Sequence, residues 1–203
     1  MTALRSRTVR PRGGRWLAAG VLAIAGAAAA FAAGTDAQRQ KAALCEGCHG
    51  SEGRSTAADT PSLAGQPKQF VTTQLVMFRE GNRKNAIMNP IAAPLSNADI
   101  SELGSYFSAQ RAEPAGKPLA AGAAAAARGL AESLGCVTCH GAELKGQQHI
   151  PRLAGQQPEY IVKQMKAFRS RERTNDAGNM TSVSKNLTDE DIANLANYIG
   201  SLF

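Results

Sequence analysis

All four cysteines of this 203-residue chain, and two of its three histidines, fall into two short motifs, Cys45-Glu46-Gly47-Cys48-His49 and Cys136-Val137-Thr138-Cys139-His140. Cys-x-x-Cys-His is the attachment signature of c-type haem. Two thiols three residues apart reach the two vinyl groups of one porphyrin, and the adjacent imidazole is delivered to the iron beneath it. A four-cysteine zinc site is opposed by the 87 residues between Cys48 and Cys136, far beyond a zinc-ribbon spacing. A thioredoxin-like redox pair requires a βαβ context that the sequence lacks, and plain structural disulfides are the remaining alternative. The expectation is two covalently attached haem c groups, bound through Cys45, Cys48, Cys136 and Cys139, with His49 and His140 as iron ligands.

Each iron needs a sixth ligand, and an inventory narrows the choice. Only His149 is left among the histidines and no cysteine is spare, so two bis-histidine haems cannot be built from this chain. Met1 belongs to the N-terminal segment discussed below. Met77 and Met165 occupy non-equivalent places relative to Gln74 and Gln164 and read as core residues. Met88 and Met180 are equivalent, each seven residues before a Leu-Ser or Leu-Thr pair and 18 before Tyr106 or Tyr198. They are the expected distal ligands, since a thioether opposite an imidazole is a known haem ligation that raises the potential.

These residues are carried by an internal repeat. Pro61-Ser62-Leu63-Ala64-Gly65-Gln66 answers Pro151-Arg152-Leu153-Ala154-Gly155-Gln156, and Phe70, Gln74 and Phe78-Arg79 answer Tyr160, Gln164 and Phe168-Arg169. Leu95-Ser96-Asn97-Ala98-Asp99-Ile100 answers Leu187-Thr188-Asp189-Glu190-Asp191-Ile192, and the offset stays between 90 and 92 residues throughout. The sequence therefore divides into a signal peptide (1–32), an N-terminal haem domain (33–112), a linker (113–118) and a C-terminal haem domain (119–203).

Each half reads as helical. Pro67 to about Gly81 places Phe70, Val71, Gln74, Leu75 and Phe78 on one face, and Pro158 to about Arg171 repeats the pattern. Ser96 and Thr188 are N-caps with Asp99 and Asp191 three residues on. The stretches 35–45 and 119–134 are Ala-rich and helix-prone. No sustained strand alternation occurs, so the predicted fold class is all-α. Pro61 and Pro151 either turn a loop or offer a carbonyl to the second nitrogen of His49 and His140. Arg79 and Arg169 are either propionate partners or solvated helix charges, and His149, with no counterpart in the first half, reads as an exposed loop residue.

Composition agrees with a cofactor-dependent core. Aromatic residues make up only 5% of the chain, so a large apolar body from outside the side chains would complete each small core. Residues 1–15 carry five arginines and no acid, followed by the apolar run Trp16–Ala33 with Ala30-Phe31-Ala32 as a small-x-small cleavage pattern. This is the form of a secretory signal peptide for the general pathway, with an uncleaved membrane anchor as the alternative. Without those five arginines the formal net charge falls from +7 to +2, which removes the electrostatic support for nucleic-acid binding.

The paired motifs, the Pro-x-Leu-Ala-Gly-Gln stretches, Met88 and Met180, and the closing Leu-Ser/Thr helices resemble the dihaem class I cytochromes c of the cytochrome c4 family. The resemblance covers nearly all of the chain after the signal segment. It implies two tandem cytochrome c domains, His/Met ligation, carbonyls of Pro61 and Pro151 as acceptors from His49 and His140, and a periplasmic carrier passing electrons towards a terminal oxidase. Redox proteins are the expected partners, with membrane association only through them unless the N-terminal segment is retained. One-electron transfer without bond chemistry is the leading function, because two six-coordinate irons leave no open position and no paired carboxylates accompany them. The alternatives are a cytochrome subunit of a periplasmic dehydrogenase and a dihaem peroxidase.

Overall fold

The computed structural model describes residues 35–175 and 177–203. The expected signal peptide, with Trp16 and Phe31, lies outside the described residues.

Among the described residues the regular structure is helical, apart from one isolated bridge between Gln147 and Ile150. The first half contains α1 (Asp36–His49), α2 (Lys68–Arg79), α3 (Met88–Ala92) and α4 (Asn97–Ala109). The second contains α5 (Ala121–Ser133), α6 (Cys136–His140), α7 (Pro158–Arg169), α8 (Asn179–Ser184) and α9 (Asp189–Ser201). A short 3-10 turn follows each histidine, at Ser51–Gly53 and Ala142–Leu144.

Local chemistry sets the helix ends. Ser96 with Asp99 and Thr188 with Asp191 form complete capping boxes, as their spacing predicts. Thr35 with Gln38 closes a third at the start of α1. Pro67 is the N-cap of α2, whereas Pro158 is the first residue of α7, a one-residue difference between the repeats. The first haem motif lies at the end of the continuous helix α1. Its counterpart is cut into α5 and α6, because Gly135 takes the left-handed conformation at φ 67°.

Two separate cores result. The first gathers Ala42, Val71, Leu75, Ile100, Leu103, Tyr106 and Phe107, with Cys45 and Met88 packed on its border. The second gathers Ala127, Ala131, Ile161, Met165, Ile192, Leu195, Tyr198 and their neighbours, with Cys136 on its border. Ala127 and Ala131 let α5 lie close on α9, whereas Ala121, Ala123, Ala125 and Ala126 of the same Ala-rich run are exposed. In both halves the helix carrying the matched Phe packs on the closing helix, α2 on α4 and α7 on α9. Met165 is a core residue as expected. Met77 is only half-buried, its sulfur accepting a 3.7 Å contact from Gln74 Nε2, so the core role does not extend to it.

Candidate functional site

His49 and His140 end their helices and are buried, 7% and 6% exposed. Nδ1 of His49 lies 2.8 Å from the carbonyl oxygen of Pro61, and Nδ1 of His140 lies 2.9 Å from that of Pro151. A carbonyl can only accept, so Nδ1 carries the hydrogen in each ring and Nε2 keeps a lone pair. That is the tautomer a metal-ligating imidazole needs, oriented by its second nitrogen. Burial lowers the pKa of both rings, against the opposing effect of the carbonyl. Of the two readings of Pro61 and Pro151, the acceptor geometry is the one observed.

The four thiols sit beside these rings. Cys45 and Cys136 are half-buried, Cys48 and Cys139 exposed, and none is paired in a disulfide. Burial, followed by the charge of Glu46, pushes the Cys45 thiol up to about 11. Gly50, directly after His49, has φ 78°, and a Cβ there would lie 2.0 Å from the Arg54 carbonyl oxygen. Only glycine lets the chain double back so tightly under the ring.

Met88 opens α3, Met180 is the second residue of α8, and both are half-buried. An asparagine anchors each approach: Asn85 Oδ1 accepts from the Met88 amide at 2.8 Å, and Asn175 Oδ1 from the Met180 amide at 3.3 Å. The anchor stands three residues before Met88 and five before Met180, so the loop insertion that moves the repeat offset from 90 to 92 falls here. After Met180 the hydroxyls of Thr181 and Ser184 are buried without a hydrogen-bond partner among the described residues.

The arginines divide differently from the expectation. Arg79 donates to the Leu95 carbonyl and to Asn97 Oδ1, both at 3.0 Å, and Arg169 donates to the Leu187 carbonyl at 2.7 Å and to Asp189 at 2.5 Å. They tie α2 to α4 and α7 to α9, which is neither of the roles read from the sequence.

Arg83 and Arg173, four residues further on, meet instead at the junction of the two halves. Arg83 donates to Gln74 Oε1 at 2.6 Å, Tyr160 Oη at 3.0 Å and Gln164 Oε1 at 3.1 Å. Arg173 donates to Gln164 Oε1 at 2.6 Å and Gln74 Oε1 at 3.2 Å. Neither has a carboxylate partner among the described residues. Burial, then the charge of Arg83, pushes the pKa of Arg173 down to about 10. Two guanidiniums crowded together with neutral acceptors call for an anionic group. The donor set as a whole fits haem: paired thiols, an oriented imidazole, a thioether, and cations where carboxylates of a bound group would be neutralised.

His149 is exposed in the tight turn closed by Gln147 and Ile150, in keeping with a loop role.

Comparison with known proteins bears on the same features. Residues 120–203 match the family model for cytochrome c. The chain is 36% identical over 183 residues to cytochrome c4 of Pseudomonas aeruginosa, covering 85% of this chain and 91% of that one. The chain belongs to the cytochrome c4 family. It is also similar to the thiosulfate dehydrogenase electron acceptor of Thiomonas intermedia, 37% identical over 174 residues and covering 79% of each. The crystal structure of reduced recombinant cytochrome c4 from Pseudomonas stutzeri superposes with a TM-score of 0.76 at 31% identity, covering 84% of this chain and 100% of that one.

Membership in the cytochrome c4 family makes the chain an electron carrier with two tandem cytochrome c domains and two covalently bound haem c groups. No helix among the described residues is long and apolar enough to cross a membrane.

Proposed function

We propose that the chain is a periplasmic shuttle passing single electrons from respiratory donors towards a terminal oxidase. Cys45 and Cys48 would hold one haem and Cys136 and Cys139 the other, with His49 and Met88 supplying the ligands to one iron and His140 and Met180 those to the other, in domains spanning 33–112 and 119–203. The observation that carries this reading is the pair of His Nδ1 to proline carbonyl bonds, which leave Nε2 of both rings as the ligating atom. The bound haem supplies an iron that cycles between ferrous and ferric states, at a potential set by its axial ligands and surroundings.

The chain's own residues supply the rest. The carbonyls hold each imidazole at one angle, so that little rearrangement accompanies electron transfer. Asn85 and Asn175 fix the backbone from which the methionines reach the irons. Arg83 and Arg173, which share Gln74 and Gln164 as acceptors at the junction, would neutralise the propionates of bound haem. The N-terminal segment supports export to the periplasm.

A second reading is the acceptor of a periplasmic dehydrogenase, favoured by the similarity to the Thiomonas intermedia protein. Size-exclusion of a native periplasmic extract, followed by haem absorbance, separates the two. Elution at the size of the free chain supports the shuttle, and co-elution with a much larger dehydrogenase supports the acceptor. Sustained peroxide turnover by the purified holoprotein would overturn the carrier reading altogether.

A further inference from the structure

Gln66 and Gln156 close the two Pro-x-Leu-Ala-Gly-Gln stretches, and each is buried, 4% and 6% exposed. Both reach into the opposite half, and Gln156 Oε1 is shared with the amide of its own neighbour Gln157 at 2.9 Å. Gln156 Oε1 accepts from the Ser62 amide at 2.7 Å while its Nε2 donates to the Ser62 carbonyl at 2.9 Å. Reciprocally, Gln66 Oε1 accepts from the Arg152 amide at 3.0 Å while its Nε2 donates to the Arg152 carbonyl at 2.9 Å.

The amide of Ser62 belongs to the same peptide unit as the carbonyl of Pro61, which accepts from His49. The amide of Arg152 shares its unit with the carbonyl of Pro151, which accepts from His140. Each histidine is therefore joined through a single peptide plane to a buried glutamine of the opposite domain. Engaging the N–H end of a peptide raises electron density at its carbonyl oxygen, which becomes a stronger acceptor. A stronger acceptor draws the Nδ1 hydrogen and makes Nε2 a better donor to a metal, which favours the more oxidised ion.

We propose that Gln156 and Gln66 are positioning residues that lower the potential of the haem in the opposite domain, each through the peptide that orients that haem's axial histidine. The reciprocity means that each domain sets part of the redox behaviour of the other. Neither peptide would be polarised in this way in a separated domain. The proposal rests on the reading of His49 and His140 as axial ligands.

The test uses the full dihaem protein, with the potential of each haem and the hyperfine-shifted resonances of each axial histidine followed by NMR. Gln156→Leu should raise the potential of the first-domain haem and shift the His49 resonances, while the second-domain haem moves much less. Gln66→Leu should do the reverse. Gln156→Glu, whose carboxyl oxygen can still accept from the Ser62 amide, should keep the first potential at or below its native value. Gln156→Asn, one methylene too short, should behave as the leucine variant does and replaces it if the leucine variant fails to mature.

Equal movement of both haems in Gln156→Leu, or no movement of the first, would overturn the proposal, as would a rise in Gln156→Glu matching that in Gln156→Asn. If the native protein itself showed no axial-histidine resonances for a haem, the ligand reading would have failed rather than the coupling.

Discussion

Arg83 of the first half donates to the hydroxyl of Tyr160 in the second at 3.0 Å, across the junction between the two haem domains. The repeat places Phe70 opposite Tyr160, so the contact has no mirror image and the junction is asymmetric. Burial raises the Tyr160 pKa, but the charges of Arg83 and Arg173 outweigh it and the net shift is downward.

Tyr160→Phe should destabilise the holoprotein by about 1.5–3 kcal/mol, the range for a hydrogen bond to a charged group. Guanidinium chloride unfolding of native and variant protein measures it. An unchanged transition would show that Arg83 draws nothing from the hydroxyl.

Acid should weaken the start of α4 in a defined window. Hydrogen bonds from Lys41, then Ser96, hold the Asp99 carboxyl at about 2, below its ordinary value of 3.8. A depressed carboxylate stabilises the fold above its unfolded pKa of about 4 and loses that contribution as pH falls through the folded value. The difference in thermal midpoint between native protein and Asp99→Asn should be constant above about pH 5 and shrink between pH 4 and 2. A difference that persists undiminished at pH 2 would contradict the assignment.

Gly50 and Gly141 share φ 78° but differ in surroundings. A Cβ at Gly50 would meet the Arg54 carbonyl oxygen at 2.0 Å, whereas at Gly141 the nearest atom is 3.6 Å away. Gly141→Ala should lose about 1–3 kcal/mol to backbone strain alone, and Gly50→Ala clearly more. Thermal unfolding of the two variants ranks them, and equal losses would show that the 50–54 turn relaxes freely.

Much of the site was legible because covalent chemistry and capping are written in contiguous residues. The cysteines and ring-bearing histidines stand within five positions, and Ser96 with Asp99 or Thr188 with Asp191 act over a single turn. What escaped was the chemistry of the junction. Arg83 and Arg173 lie in loops with no periodicity, and part of their acceptor set comes from residues 77 to 99 positions away. Arg79 and Arg169 looked better placed for propionates only because they follow a matched Phe. The glutamines were visible as part of the repeat, yet nothing in a linear pattern tells that Gln156 reaches Ser62, 94 positions away.

Each half should depend on its haem for folding. Among the described residues only Phe107, Ile192 and Leu195 of the larger apolar side chains are less than 2% exposed, a small core for about 80 residues a half. Replacing Cys136 and Cys139 together by Ala should leave one covalent haem and a second domain that proteases degrade. Retention of a cooperative, protease-resistant second domain would refute the dependence.

Met88 and Met180 are proposed as distal ligands of separate irons, and a redox titration of Met180→His tests that assignment most directly. Methionine/histidine ligation lies above bis-histidine in potential. The variant should therefore show two one-electron steps, the step of the second-domain haem moved downward and that of the first nearly unchanged. If Met180→His left both steps in place while Met165→His moved one, the ligand assignment would be contradicted.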